Sequence, residues 1–462
     1  MACKVFLRGD NMKKNNFLSI LDNDNKKLDF KKEFLAGLTT FITMAYIIAV
    51  NPNILGATGM DAGAVVTATC LSAGFATIIM GVYANLPFVL ASGMGLNAYF
   101  AYTVVIKQNI SWEVALTAVF VEGIIFILLS LFKVREAVVN AIPINMKHAV
   151  TAGIGLFIAL IGFKGANLVV ADESTLVALG NFKMPTVLIA LAGFIVIAIL
   201  EKKQVKGAIL IGIATSTLLA WGYALYDPYY ANALGIYLPQ GIFKYESIAP
   251  IAGKIDFNYM INPETVASFI SVVLTFLFVD FFDTIGTLVG VTSRAGMLDE
   301  NGKVPRVSKA LMADAIGTTA GACLGVSTVT TYVESSTGVA AGGRTGWTAV
   351  FAGIFFILSM FLSPIFIAIP SCATAPALIY VGFLMVGAVK NIDFEDLTEG
   401  IPAFITIALM PLTYSIGDGL TFGVLSYVVI GLLSNLISKE KKKVSVVMII
   451  LAIIFLIKLL LL

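Results

Sequence analysis

Apolar stretches of roughly twenty residues, the length that crosses a bilayer as a helix, follow one another along most of the chain with short polar breaks between them. They fall at about 33–54, 61–83, 88–106, 112–132, 143–163, 184–200 and 206–226. After a polar connection at 227–263 they resume at about 264–290, 305–323, 326–343, 345–364, 370–389, 400–415 and 418–437. The pattern predicts an all-α polytopic membrane protein of about 14 transmembrane segments. The stretch before it, 1–32, is polar and lysine-rich, lacks the apolar core of a signal peptide, and reads as a cytoplasmic tail. Beyond it, 438–462 joins a basic linker to an apolar segment from 444, which either adds a span or lies in the interface.

Two of these segments cannot be ordinary helices. The tenth, VSTVTTYVESSTGVAAGGRTG at 326–346, opens with β-favouring Thr and Val, places Glu334 among Ser335, Ser336 and Thr337, and closes on small residues. It reads as an extended strand feeding a short half-helix. The third, LPFVLASGMGLNAYFAYTVV at 86–105, carries Pro87, Gly93 and Gly95 ahead of Asn97, which opens its helical part. Irregular backbone is tolerated at membrane depth only where it lines a protein cavity, and half-helix N–H groups pointing into such a cavity make a polar binding site. The substrate is expected between these two broken spans.

The chain also repeats itself. TAVFVEGIIFILLSLF at 117–132 matches TAVFAGIFFILSMF at 348–361 with gaps, and Ile142-Pro143 matches Ile369-Pro370. An offset of 237 pairs Glu334 with Asn97 and Asp283 with Tyr46. The segments at 33–226 and 264–437 therefore form two seven-span repeats joined by an extracellular connection at 227–263. Seven is odd, so the second copy is inverted in the membrane, which is the architecture of secondary transporters. With the N-terminus inside, 24 Lys and Arg fall in the tail and cytoplasmic turns and five in outer turns, as the positive-inside rule requires.

Composition narrows the function further. The 462 residues are 58% hydrophobic and 13% charged, with a mean hydropathy of +0.94. Net charge of +2 says nothing about nucleic acid, but no basic cluster interleaves with aromatics, so no nucleic-acid partner is expected. One histidine, His148, and four scattered cysteines, Cys3, Cys70, Cys323 and Cys372, give no metal-type spacing. No cofactor motif and no nucleophile–base pair is visible, so an enzyme is not expected.

Carboxylates inside spans are costly and mark ion or substrate pathways. In TFLFVDFFDTIGTLVG at 275–290, Asp280 and Asp283 lie at i, i+3, with Thr284 and Thr287 continuing that side. Asp283 is expected at the substrate with Asp280 supporting it. One proton held among Asp280, Asp283 and Glu334 would be a coupling device. Asp314, in the ninth span, either braces the tenth or relays protons. Asn97 is a half-helix cap or a ligand contact, and Glu122 an interhelical hydrogen bond. Tyr332 can stack on a flat ring. His148 and Lys147 read as solvated at a cytoplasmic helix end, and the tail lysines as solvated or in contact with anionic lipid.

The stretches TTYVESSTGVAAGGRTG and FVDFFDTIGTLVG resemble the AzgA-like purine permeases, a branch of the nucleobase–cation symporters related to the xanthine and uracil permeases, and the similarity runs from about Phe34 onward. The resemblance implies a core-and-gate fold in the plasma membrane, usually a homodimer, importing purine bases with protons. Asp283 and Glu334 would bind the base, with Asn97 contributed by the third span. Ser335 follows Glu334 where the uracil and xanthine branches place Asn, and Thr287 stands where uracil permeases place a histidine. Carboxylates accept hydrogen bonds, which suits an N–H-rich ligand such as guanine or hypoxanthine. An adenine carrier shares the motifs. An anion transporter of the same architecture would need an uncompensated positive site.

Overall fold

A computed structural model describes residues 29–131, 142–294, 297, 304, 306–437 and 444–461. The tail lysines before Asp29, Lys133, Arg135, Lys303 and the 439–443 lysines lie outside the described residues. The first repeat begins with α1 (Phe30–Met44), capped by Asp29, and α2 (Ile47–Gly56), separated by a turn at Ala45 and Tyr46. Helix α3 (Ala62–Ile79) is capped by Asp61 and runs into a π-helical turn (Met80–Ala84) that ends on left-handed Asn85. The third span is broken as expected: strand β1 (Leu90–Ser92), helix α4 (Met94–Ala98) and a π-helical stretch (Tyr99–Lys107). Helices α5 (Trp112–Leu131), α6 (Ile144–Gly165), α7 (Pro185–Lys202) and α8 (Ala208–Tyr226) complete the repeat.

Between α6 and α7 a hairpin of β2 (Val169–Asp172) and β3 (Leu176–Leu179) stands where only a connection was expected. Asp172 holds its turn, accepting from the hydroxyls of Ser174 and Thr175 at 2.6 and 2.9 Å and from their backbone amides at 2.9 and 2.8 Å. These donors, led by the Ser174 hydroxyl, keep its carboxyl well below the usual carboxylate range. Two short helices, α9 (Pro228–Ala233) and α10 (Asn258–Ile261), lie in the central connection.

The second repeat comprises α11 (Val266–Arg294), α12 (Val307–Leu324), strand β4 (Val329–Thr331) with half-helix α13 (Ser335–Ala340), and α14 (Gly346–Ser359). After the short α15 (Ser363–Ile367) come α16 (Ser371–Val386), α17 (Leu397–Leu412) and α18 (Ile416–Ile437). Among the described residues, eight helical stretches are long and apolar enough to cross a membrane, and shorter apolar helices accompany them. The last helix, α19 (Val446–Leu461), buries Met448, Leu451 and Phe455, with Phe455 edge-on to Phe278 of α11 at 5.5 Å.

Two bundles result. In the core, α1 and α3 pack on α14, and α5 and α3 pack on α12. In the gate, α6 packs on α16 and α17, α7 on α8 and α16, and α17 on α18. Close approach needs small residues: a Cβ on Gly74 of α3 would lie 2.8 Å from the Gly353 carbonyl of α14, and one on Gly353 would lie 2.8 Å from the Gly74 carbonyl.

Candidate functional site

Strands β1 and β4 cross in the core as a two-stranded antiparallel sheet, with Leu90 opposite Thr331, Ala91 opposite Thr330 and Ser92 opposite Val329. Backbone bonds extend the ladder equally at both ends, from Gly93 N to Thr328 O at 2.9 Å and from Tyr332 N to Val89 O at 3.0 Å. In a membrane the outer edges of so small a sheet need partners. A threonine supplies them on each side. The Thr77 hydroxyl donates to Leu90 O at 3.0 Å and accepts from Leu90 N at 2.9 Å, and the Thr318 hydroxyl does the same with Val329 O and N at 2.9 and 3.2 Å. Thr77 belongs to the second span and Thr318 to the ninth, so the inverted repeat uses one device twice.

A cavity of about 550 Å³ opens beside this crossing. Its polar wall holds Asp283 and Thr287 from α11, and Thr330, Thr331, Tyr332 and Glu334 from the tenth span. Its apolar wall is the gate, with Ile154 and Ile158 of α6 and Val381 and Met385 of α16. The cavity follows α6 to its N-terminal end at Ile144, Lys147 and His148. Near the opposite end of α6, Tyr414 closes the core–gate junction. Its ring meets Phe157 and Tyr102 edge-on at 5.5 and 6.0 Å, with the Lys164 ammonium 4.6 Å above it. The Thr103 hydroxyl donates to Tyr414 O at 3.0 Å, and Lys107 pairs with Asp418 at 3.5 Å.

The carboxylates expected to cooperate separate into two groups. Asp283 and Thr287 face the cavity, while Asp280, Thr284 and Asp314 are fully buried behind the wall. An i, i+3 step turns a helix side chain by about 60°, enough to divide the stripe between cavity and wall. Thr284 Oγ1 sits 3.0 Å from Asp280 Oδ1, 3.1 Å from Asp314 Oδ2 and 2.9 Å from Thr330 Oγ1. Glu334 accepts from the Tyr46 hydroxyl through Oε1 at 2.7 Å, and its buried Oε2 has no partner among the described residues. Tyr332 lines the cavity with its hydroxyl tied to Ser92 O at 2.6 Å, which holds the ring in place.

Two candidate residues, Asn97 and Ser335, lie outside the cavity lining. Asn97 does not line the cavity: its amide donates to Asn51 Oδ1 at 2.6 Å and accepts from the Ser92 hydroxyl at 2.6 Å, so its polar atoms are spent on tying the third span to α2. Ser335 is also fully buried, its hydroxyl accepting from Val89 N at 2.9 Å. The amides expected to be free at the tenth-span half-helix are occupied. Ser335, Ser336 and Thr337 N–H donate to the carbonyls of Tyr332, Val333 and Glu334, because the chain already turns helically before α13 begins. Glu122, expected in an interhelical bond, instead accepts at 2.8 Å from the hydroxyl of Thr328 in the extended segment that leads into β4. Lys147 and His148, read as solvated, line the cavity mouth. Tyr46, which the sequence marks only as the repeat partner of Asp283, reaches the site through its bond to Glu334. Thr330 and Thr331 were hidden inside a run read only as β-favouring.

An inverted pair of repeats whose broken spans cross beside a cavity lined by acids, with a separable gate bundle, defines a multi-pass membrane transporter. The sequence signature of the Permease family (Xan_ur_permease) matches residues 31–422, and the chain belongs to that family. It is 44% identical over 399 residues to the adenine permease AdeP of Escherichia coli, covering 86% of each chain. It is 42% identical over 411 residues to the guanine/hypoxanthine permease PbuO of Bacillus subtilis, covering 88% of this chain and 92% of that one. Among solved structures, the transmembrane domain of the cyanobacterial bicarbonate transporter BicA superposes with a TM-score of 0.63 at 15% identity, covering 86% of this chain and 99% of that domain. These relatives are transporters, not enzymes.

Proposed function

We propose that the protein imports purine nucleobases, guanine and hypoxanthine foremost, by proton symport across the plasma membrane. The observation that carries this reading is the convergence of Asp283 and Glu334 on one cavity whose facing wall is apolar. Two carboxylates accept from ring N–H groups, Tyr332 offers a π-face, and Ile154, Ile158 and Val381 suit the other face of a flat heterocycle. An anion such as bicarbonate finds acids at the crossing, while Lys147 and His148 stand at the mouth. The names of the relatives support nucleobases as the class and divide between adenine and guanine/hypoxanthine.

Proton coupling is supported by the cluster behind the wall. One hydroxyl carries one proton, so the Thr284 contacts to Asp280, Asp314 and Thr330 are all hydrogen bonds only when one of the two carboxyls is protonated. Thr330 belongs to the cavity wall, which gives a proton on this cluster a route to influence the bound base. With the N-terminus in the cytoplasm, the cavity mouth at Ile144 opens inward and the Tyr414 junction closes the outer side. A homodimer embedded in lipid through its apolar gate faces completes the reading.

The test is uptake of radiolabelled hypoxanthine into proteoliposomes under an imposed proton gradient, with guanine, adenine, uracil and sulfate as competitors. The expected result is gradient-driven uptake blocked by guanine and lost in Glu334→Gln and Asp283→Asn. Block by adenine alone changes the preferred base. Sulfate transport without purine transport overturns the reading.

A further inference from the structure

The cavity holds acceptors in excess, and a 6-oxopurine also presents a carbonyl that needs a donor. Around the crossing, the tenth-span donors and the Asn97 amide are mostly occupied. The half-helix amides of Ser335, Ser336 and Thr337 bond to the preceding turn, and the Asn97 amide bonds to Asn51. The Thr330 hydroxyl pairs with Thr284, and the Tyr332 hydroxyl donates to Ser92 O. Thr331 differs. It lines the cavity, is only 2% exposed, and its hydroxyl has no hydrogen-bond partner among the described residues. A buried hydroxyl left unsatisfied is costly, so such a group in a native fold calls for a missing partner. Thr287, one turn beyond Asp283, also lines the cavity and is less buried at 9%.

We propose that Thr331 is a specificity-determining residue whose hydroxyl donates to the 6-oxo group of the bound purine. This deepens, and rests on, the purine reading above. The strand backbone around Thr331 is fixed by its pairing with Leu90 and by the Tyr332 N to Val89 O bond, so the hydroxyl is presented from a rigid position. Three residues further on, Glu334 offers its unpartnered Oε2. The pair supplies one donor and one acceptor, the pattern that meets a carbonyl beside a ring N–H. Adenine presents an amino group at that position, which a carboxylate satisfies without Thr331.

The experiment measures equilibrium binding of hypoxanthine and adenine to the purified full-length protein, wild type beside Thr331→Val and Thr331→Ser. Valine keeps the shape and strand preference and removes only the hydroxyl. The expected result is that Thr331→Val weakens hypoxanthine about tenfold, as loss of one hydrogen bond to a bound carbonyl does. Adenine affinity stays within about twofold of wild type on the same reasoning, and Thr331→Ser restores hypoxanthine binding. Unchanged hypoxanthine affinity in Thr331→Val overturns the proposal while leaving the purine reading intact. Equal losses for both bases, unrescued by serine, mark a purely structural role and also overturn it. Wild-type protein that binds adenine alone overturns the Thr331 assignment, and wild type that binds neither base removes the purine reading and this inference together.

Discussion

Tyr46 donates its phenolic hydroxyl to Glu334 Oε1 across 2.7 Å, joining the break in the first span to the break in the tenth. The carboxylate is thereby fixed by one oxygen, while the other is buried with no partner among the described residues. A hydrogen bond to a charged group contributes about 1.5–3 kcal/mol, so Tyr46→Phe is expected to weaken base binding roughly tenfold or more through a misplaced Glu334. Measured with Glu334→Gln in a double-mutant cycle, the two losses should be strongly non-additive. Additive losses would show that Tyr46 acts elsewhere.

Asp283 and Asp280 are three residues apart and face different surroundings, one the cavity and the other Thr284 in the wall. Asp283→Asn is expected to cost roughly 100-fold in affinity, because an amide presents N–H where the base presents N–H. Asp280→Asn should leave equilibrium binding within about threefold, since Asp280 is buried outside the cavity lining, and should uncouple uptake from the proton gradient. Binding and gradient-driven flux, assayed on the same two variants, separate these roles. Equal effects on both quantities from both variants would merge them into one site.

Much of this arrangement is legible in the sequence, and the remainder is not for identifiable reasons. Spans read clearly because lipid demands long apolar runs, and the two broken ones because Pro87, Gly93, Gly95 and the Thr-rich stretch before Glu334 cannot continue a helix in hydrocarbon. The acids stand out because charge in a span is expensive. Whether a polar side chain serves ligand or fold depends on what lies across from it. Asn97 looks like a ligand contact until Asn51, 46 residues earlier, takes its amide. Tyr46 looks like an ordinary aromatic in an apolar run until the repeat brings it onto Glu334. Periodicity records which face a residue occupies on its own helix, not which helix comes to meet it.

At the closed end, Lys107–Asp418 and the Tyr414 socket both bridge core and gate, and their magnitudes differ. The ion pair is 46% and 36% exposed, a setting in which such pairs contribute about 0–1 kcal/mol. Tyr414 makes two edge-on ring contacts and a cation–π contact, each about 0.5–1 kcal/mol, from a left-handed backbone at φ 56°. Thr103, only 1% exposed beneath it, reports opening once changed to cysteine in a background lacking the exposed Cys323. Tyr414→Ala should speed labelling of Thr103→Cys by an impermeant thiol reagent roughly tenfold, whereas Asp418→Asn should change it by less than about threefold. The reverse order would make the ion pair the principal closure.

Helix packing within the core gives the last prediction, because its sign depends on where a glycine sits. Gly353 of α14 faces the Gly74 carbonyl, and an added methyl would lie 2.8 Å from that backbone oxygen and 2.8 Å from Ile78. A helix backbone cannot yield locally, so Gly353→Ala must push α3 and α14 apart, at a cost of about 1–3 kcal/mol. Gly222 of α8 has nothing within 4 Å of the same added atom. There the substitution relieves only the backbone entropy of glycine in a helix, so Gly222→Ala should stabilise by about 0.5–1 kcal/mol. Thermal unfolding of both variants in one detergent should move in opposite directions from wild type. Destabilisation by Gly222→Ala would mean that this face of α8 is covered by another surface in the membrane, and the gate bundle, where α8 lies, is the place to look for a second protomer.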